Sequence, residues 1–233
     1  MNRPIHLTDP MGLWPTPVHT KILYTALSDY LLPSDIAELD RVSQNQDAIL
    51  KGGQDVANSY MHHMRNGYSE TSDDAEIEYE AFLESSLAVA LESIAVGNKD
   101  AAIQSLGENF HALADSTSPA HSCVAARMYG DATTRAPECS RTSDEDFRPW
   151  YSIYDPRHWF LTVSQHEREE NYDSGPAIDA AVNKIRQYYV LYASASYGAR
   201  FPTVEQRLVQ GVNAQWTVED LGGLASLLAF ASI

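Results

Sequence analysis

The chain concentrates its chemically capable side chains in His111-Ala-Leu-Ala-Asp115, with His121 following after five further residues. A histidine and a carboxylate four apart on a helix leave the same face one turn apart. Ser116, Thr117, Ser118 and Pro119 then break the helix, and the turn can bring a second imidazole back toward that pair. His166 and Glu170 repeat the His-xxx-carboxylate spacing. Imidazole nitrogen and carboxylate oxygen suit zinc. Two such pairs and a bridging histidine describe a centre for more than one ion, of the kind that drives hydrolysis.

The remaining histidines each need their own argument, because a lone buried histidine is more often a core residue than a ligand. His62 and His63 are adjacent, and neighbouring helical residues diverge by about 100°, so only one of them can face a given ion. His19 stands at the head of an apolar helix, where a ligand can be presented end-on. His158 precedes Trp159-Phe160 with no carboxylate at helical spacing, and it and His6 read as non-ligands. His166 and Glu170 have a second reading, an i,i+4 pair on a solvated face, since Glu167, Arg168 and Glu169 surround them.

The elements that must position these groups are helices. Ile22, Leu23, Ala26, Leu27, Tyr30 and Leu31 recur at helical spacing between His19 and about Leu32. Pro33-Ser34-Asp35 reads as the start of a second helix running toward Ile49, with Gly52-Gly53 as its breaker. Asn58 to Met64 reads as a short helical turn. Ser72-Asp73-Asp74 heads a long helix to about Val96, its apolar face drawn from Ile77, Tyr79, Phe82, Leu83, Leu87, Leu91 and Ile94. Lys99 to Asp115 is the next helix; others begin near Trp159, run from about Pro176 to Ala195, and from about Val218 to Phe230. Residues 122–157 carry both cysteines and little periodicity, as a long functional loop does. No strand alternation, repeat or low-complexity tract is visible. The expected fold is all-α, a multi-helix bundle with a metal cluster between helices.

The bulk properties narrow the function. A net charge of −16 argues against a basic surface for nucleic acid or anionic membrane. Three divalent ions would nonetheless return roughly six positive charges to one cleft, so a phosphate ligand stays open. There is no apolar run long enough to span a bilayer, and the first ten residues lack the apolar core of a secretory signal. Cys123 and Cys139 are either unrelated thiols or a disulfide, the latter requiring an oxidising compartment.

The ordered set of Trp14, His19, Asp47, His62, His111-xxx-Asp115, His121 and His166-xxx-Glu170 resembles the zinc-dependent phospholipase C family and its relatives, the fungal single-strand nucleases. The resemblance covers about 155 residues and is most specific from His111 to His121. It implies an α-helical fold with up to three zinc ions. His62, His111 and Asp115 would hold one, with Asp47 as ligand or catalytic base. His121, His166 and Glu170 would hold a second. Asp115 would bridge to a third, completed by His19 and by the amino group and carbonyl of Trp14. Asp47 is preferred to Asp55, and His62 to His63, because Asp47 and His62 lie fifteen residues apart, near the family spacing. The stretch from His121 to His166 is longer than the family's and implies an inserted lid.

A free Trp14 amine requires a new N-terminus. Residues 1–13, containing Asp9-Pro10-Met11-Gly12-Leu13, resemble the end of the Rhs-repeat core of polymorphic bacterial toxins, whose Asp-Pro-x-Gly-Leu motif marks autoproteolysis. The implied organisation is an Rhs tail at 1–13 and a toxin domain at 14–233, with scission at Leu13–Trp14 creating the last zinc ligand. An ordinary Asp-Pro turn is the alternative. The resemblance further implies a secreted antibacterial phospholipase C that makes peripheral membrane contact, is delivered into a target cell by a contact-dependent secretion system of type VI kind, and has a parent Rhs shell and a cognate immunity protein as partners. A single-strand nuclease or nucleotidase with the same trinuclear site is the alternative; it would need stacking platforms, for which Tyr60, Trp150, Tyr154 and Trp159 are candidates. A structural zinc module is a third reading, disfavoured because such sites are closed and commonly rich in cysteine.

Overall fold

The computed structural model describes residues 16–48, 53, 55–119, 121–129, 147–150 and 175–200. Six α-helices and one 3-10 helix dominate them, and the protein is all-α in class. Pro17 lies in the first turn of α1 (Thr16–Leu27), where a missing N–H costs nothing. Val18, Ile22, Leu23, Ala26 and Leu27 form its buried stripe. Arg186 donates to the Thr25 and Ala26 carbonyls, two of the four that the helix end leaves without intrahelical donors. α2 (Pro33–Gln46) begins on proline and buries Ile36, Leu39, Val42 and Ser43.

α3 (Ser72–Ala95) is opened by Thr71, whose hydroxyl accepts from the Asp74 amide while the Asp74 carboxylate answers the Thr71 amide. Its buried stripe is Ala75, Tyr79, Ser86 and Ala90. Ile77, expected on the apolar face, points to solvent, one helical step off that stripe. α4 (Lys99–Asp115) is the central helix: from Ser105 to Asp115 all but Glu108 are buried, because α1, α2, α3 and α6 (Pro176–Arg200) surround it. Ile22, Leu27, Leu39, Phe110, Val182 and Ile185 are among the residues that fill the space between these helices.

The region around α5 (Cys123–Met128) departs from the sequence reading. A two-stranded parallel ladder pairs β1 (Met64–Asn66) with β2 (Arg148–Trp150). Three-residue strands are too short for a period of two to show in the sequence. Residues 122–157 therefore hold a helix and a strand among their described part. Cys123, buried at the start of α5, is half of a disulfide; Cys139, the only other cysteine, lies outside the described residues. Among the described residues no helix is long and apolar enough to cross a membrane.

Gly107 lets α2 lie directly on α4. A Cβ there would stand 2.7 Å from the Val42 side chain and 3.0 Å from the Leu39 carbonyl oxygen. One turn further along α4, the same close approach sets Ser43 beside His111.

Candidate metal centre

Five segments deliver imidazoles and acids to one buried point. His19 comes from the first turn of α1 and Asp47 from the C-cap of α2. His62 is the last residue of the 3-10 helix Val56–His62. His111 and Asp115 form the last turn of α4, and His121 returns from the turn that follows. That turn is held by the Ser116 and Thr117 hydroxyls donating to the Leu113 and Ala114 carbonyls, and by the Arg148 guanidinium donating to the Pro119 carbonyl.

Asp115 is the hub. Its Oδ2 lies 3.1 Å from His62 Nδ1, 3.1 Å from His111 Nε2 and 3.3 Å from His121 Nδ1, while Oδ1 lies 3.3 Å from His19 Nε2. Asp47 Oδ1 stands 3.3 Å from His111 Nε2 and 4.0 Å from His62 Nδ1. Ligands bound to a tetrahedral zinc at about 2.0–2.2 Å are about 3.3–3.6 Å from one another, so the separations among His19, His62, His111, Asp47 and Asp115 are near the size a shared ion requires, whereas His121 Nδ1 also meets the His62 carbonyl at 2.7 Å. Among the described residues two groups could hold a metal ion: His19, His111 and Asp115; and Asp47, His62 and His111. They share His111, whose Nε2 has one lone pair and serves one ion at a time.

The electrostatics favour a cation. Asp115 is fully buried and closes the C-terminal end of α4, where the helix dipole disfavours a carboxylate and favours positive charge. Burial pushes the Asp115 carboxyl up, but His111 and His121 beside it outweigh burial and hold it well below the usual carboxylate range. Burial drives the His111 imidazole down to about 3, against the pull of Asp115. The pair is thus an ionised carboxylate and a neutral imidazole, the protonation states in which each binds metal. Asp47, at 11% side-chain exposure, is the one member of the cluster with appreciable access to solvent.

His62 and His63 part company completely. The 3-10 helix ends at His63, whose left-handed backbone (φ 51°) swings its ring away from the cluster. It stacks on Phe147 at 4.2 Å and meets the edge of Tyr79 at 4.7 Å. Asp55 is the exposed N-cap of the 3-10 helix and lies apart from the cluster's contacts, whereas Asp47 is within them. Trp14, His166, Glu170, His6 and His158 lie outside the described residues, as do Tyr154, Trp159 and the Leu13–Trp14 bond.

Three residues that shape the centre carry no chemical signal of their own in the sequence. Ser43 places its hydroxyl 3.3 Å from His111 Nδ1. Gly53, noticed only as a helix breaker, accepts from His62 Nε2 at 2.9 Å. Trp150, considered as a base-stacking platform, is instead buried and stacked on the His62 ring at 5.3 Å. Tyr60, another such candidate, packs against Phe82.

Fold and site together define an all-α protein with a buried His/Asp centre able to hold a metal ion. No protein-family model matches the chain, no curated protein matches it, and no solved structure matches it.

Proposed function

We propose that this protein is a zinc-dependent phosphodiester hydrolase of phospholipase C type, acting on membrane phospholipids as the toxin domain of an Rhs-type parent. The observation that carries this reading is the three imidazole nitrogens, of His19, His62 and His111, within 3.3 Å of one buried carboxylate, Asp115, with Asp47 beside them. A buried charge is retained where it is paired or holds a metal. This set is rich in nitrogen and oxygen, with carboxylates to spare, which fits catalytic rather than structural zinc.

Zinc ions, when bound, supply positive charge that acidifies water and neutralises phosphoryl oxygens. His62, His111 and Asp115 would hold the first ion, and Asp115 would turn its other oxygen with His19 toward a second. His121 would join His166 and Glu170 at a further ion, and Trp14 would complete the His19 position once its amine is freed. Asp47, the most open of the cluster, would orient the attacking water and take its proton. The water oxygen would bond to phosphorus as Asp47 takes its proton, the phosphorus–oxygen bond to the glyceride would break, and the departing alkoxide would take up a proton, from Asp47 or from solvent, to give diacylglycerol and a phosphorylated headgroup. The Cys123 disulfide fits a protein delivered outside a reducing cytosol, through a contact-dependent secretion system.

The test offers phosphatidylcholine vesicles and single-stranded DNA in parallel, with zinc and with chelator. The expected result is diacylglycerol release that needs zinc and falls about 10²–10⁴-fold in Asp47→Asn. Cleavage of DNA alone would replace the phospholipase reading by the nuclease one, and cleavage of neither would refute both. N-terminal sequencing of the full-length parent tests scission: a chain starting at Trp14 is expected, and an intact Leu13–Trp14 bond in active enzyme would contradict it.

A further inference from the structure

The hydrogen bonds behind the imidazoles decide which ring nitrogen each can offer. A carbonyl oxygen only accepts, so the 2.9 Å contact from His62 Nε2 to the Gly53 carbonyl places the ring hydrogen on Nε2. His62 then has its lone pair on Nδ1, and Nδ1 is the atom that faces Asp115 Oδ2 at 3.1 Å and His111 Nε2 at 3.0 Å. The His62 carbonyl in turn accepts from His121 Nδ1 at 2.7 Å, which leaves Nε2 as the ligating atom of His121. Ser43 beside His111 Nδ1 leaves Nε2 as that ring's inward atom. The outer partner of a metal-binding histidine fixes both tautomer and ring orientation.

Gly53 holds its carbonyl at this point through an approach no other residue permits. A Cβ on Gly53 would overlap the Gln46 carbonyl group, standing 2.6 Å from its carbon, and that backbone is the last turn of α2. Any side chain at this position must push the Gly53 carbonyl off His62 or unseat the helix end that carries Asp47.

We propose that Gly53 is a positioning residue of the metal centre: its carbonyl locks His62 into the tautomer that ligates through Nδ1, while His111 and His121 ligate through Nε2. This rests on the metal-centre reading above and adds the ligating atoms and the backbone group that selects one of them.

The test uses the whole chain with ring-nitrogen-labelled histidine, observed by NMR without metal and after loading with an NMR-active cadmium isotope. The metal-free spectrum should show His62 protonated at Nε2. The loaded spectrum should show cadmium coupled to His62 Nδ1 and to Nε2 of His111 and His121. A His62 protonated at Nδ1, or coupled to cadmium through Nε2, would overturn the proposal. A folded protein that takes up no cadmium overturns the metal reading itself, while the metal-free spectrum still judges the tautomer. Gly53→Ala should keep its helical circular dichroism, lose the single Nε2–H tautomer of His62 and bind cadmium about 10–100-fold more weakly. Unchanged tautomer and affinity in that variant would contradict the role of Gly53. Should the variant not fold, the wild-type spectra decide alone.

Discussion

The centre is built half from α-helices and half from short connecting pieces, and the two halves are held by different physics. His19, Asp47 and His111 ride on α1, α2 and α4, and their positions follow from apolar packing and the close approach at Gly107. His62 and His121 lie on a 3-10 helix and a turn, held by single backbone hydrogen bonds, the β1–β2 ladder and the Trp150 ring. The helical half sets the centre's depth. The connecting half sets which atoms of His62 and His121 point inward, through backbone carbonyls whose displacement should act on chemistry before it unfolds the protein.

Asp115→Asn should do the most damage, since both halves meet on that carboxylate. Stoichiometric zinc should be lost in metal analysis, and with it the stabilisation of about 3–4 kcal/mol that an ion at roughly 100–1,000 times its Kd lends the native chain in urea titration. A variant that keeps its zinc would show that the halves do not depend on Asp115.

Trp150→Ala attacks the connecting half alone. Removing a buried Trp costs about 3–5 kcal/mol, and here the His62 ring also loses its stacking partner. His62 should lose its ordered NMR signals, while the ring of His111, stacked on His19 at 4.5 Å, keeps its own. Equal disturbance of both rings would merge the two halves into one.

Acid acts through the burial common to both. His111 titrates near 3 in the fold and near 6.5 when unfolded, so between those values the unfolded chain binds a proton that the native chain does not. Stability is therefore fully present above about pH 6.5 and is lost as pH falls toward 3. The lowered Asp115 works in the same direction, its contribution present above its unfolded value and lost as pH falls through its folded one. Melting temperatures of chelator-treated protein should fall steadily across this window; a flat profile would contradict a neutral buried His111.

Gly107→Ala is the smallest change and addresses the helical half. The added methyl group meets Val42 at 2.7 Å, and overpacking of this kind costs about 1–3 kcal/mol. Zinc affinity should weaken through Asp47 and His111, with the His62 tautomer unchanged. A shift of that tautomer would deny the independence of the halves.

The same division explains what the sequence could reveal. His111 and Asp115 are four apart on a helix, a spacing that geometry converts directly into a shared face. The apolar period of α1 was readable for the same reason. His62 against His63 was not decidable from helical period, because a 3-10 helix ending in a left-handed residue has a different rotation per step. Ser43 meets His111 across 68 residues, and nothing local announces such a contact. Gly53 and Trp150 looked like a breaker and a stacking platform because their roles depend on what the fold lays against them. Trp14, His166 and Glu170 lie outside the described residues.

Zinc-edge anomalous diffraction from crystals of the zinc-loaded protein tests the account most directly. It should give a peak at about 2.0–2.2 Å from His62 Nδ1, His111 Nε2 and an Asp115 oxygen. Ordered density for these side chains at full zinc loading, with no anomalous peak among them, would contradict it.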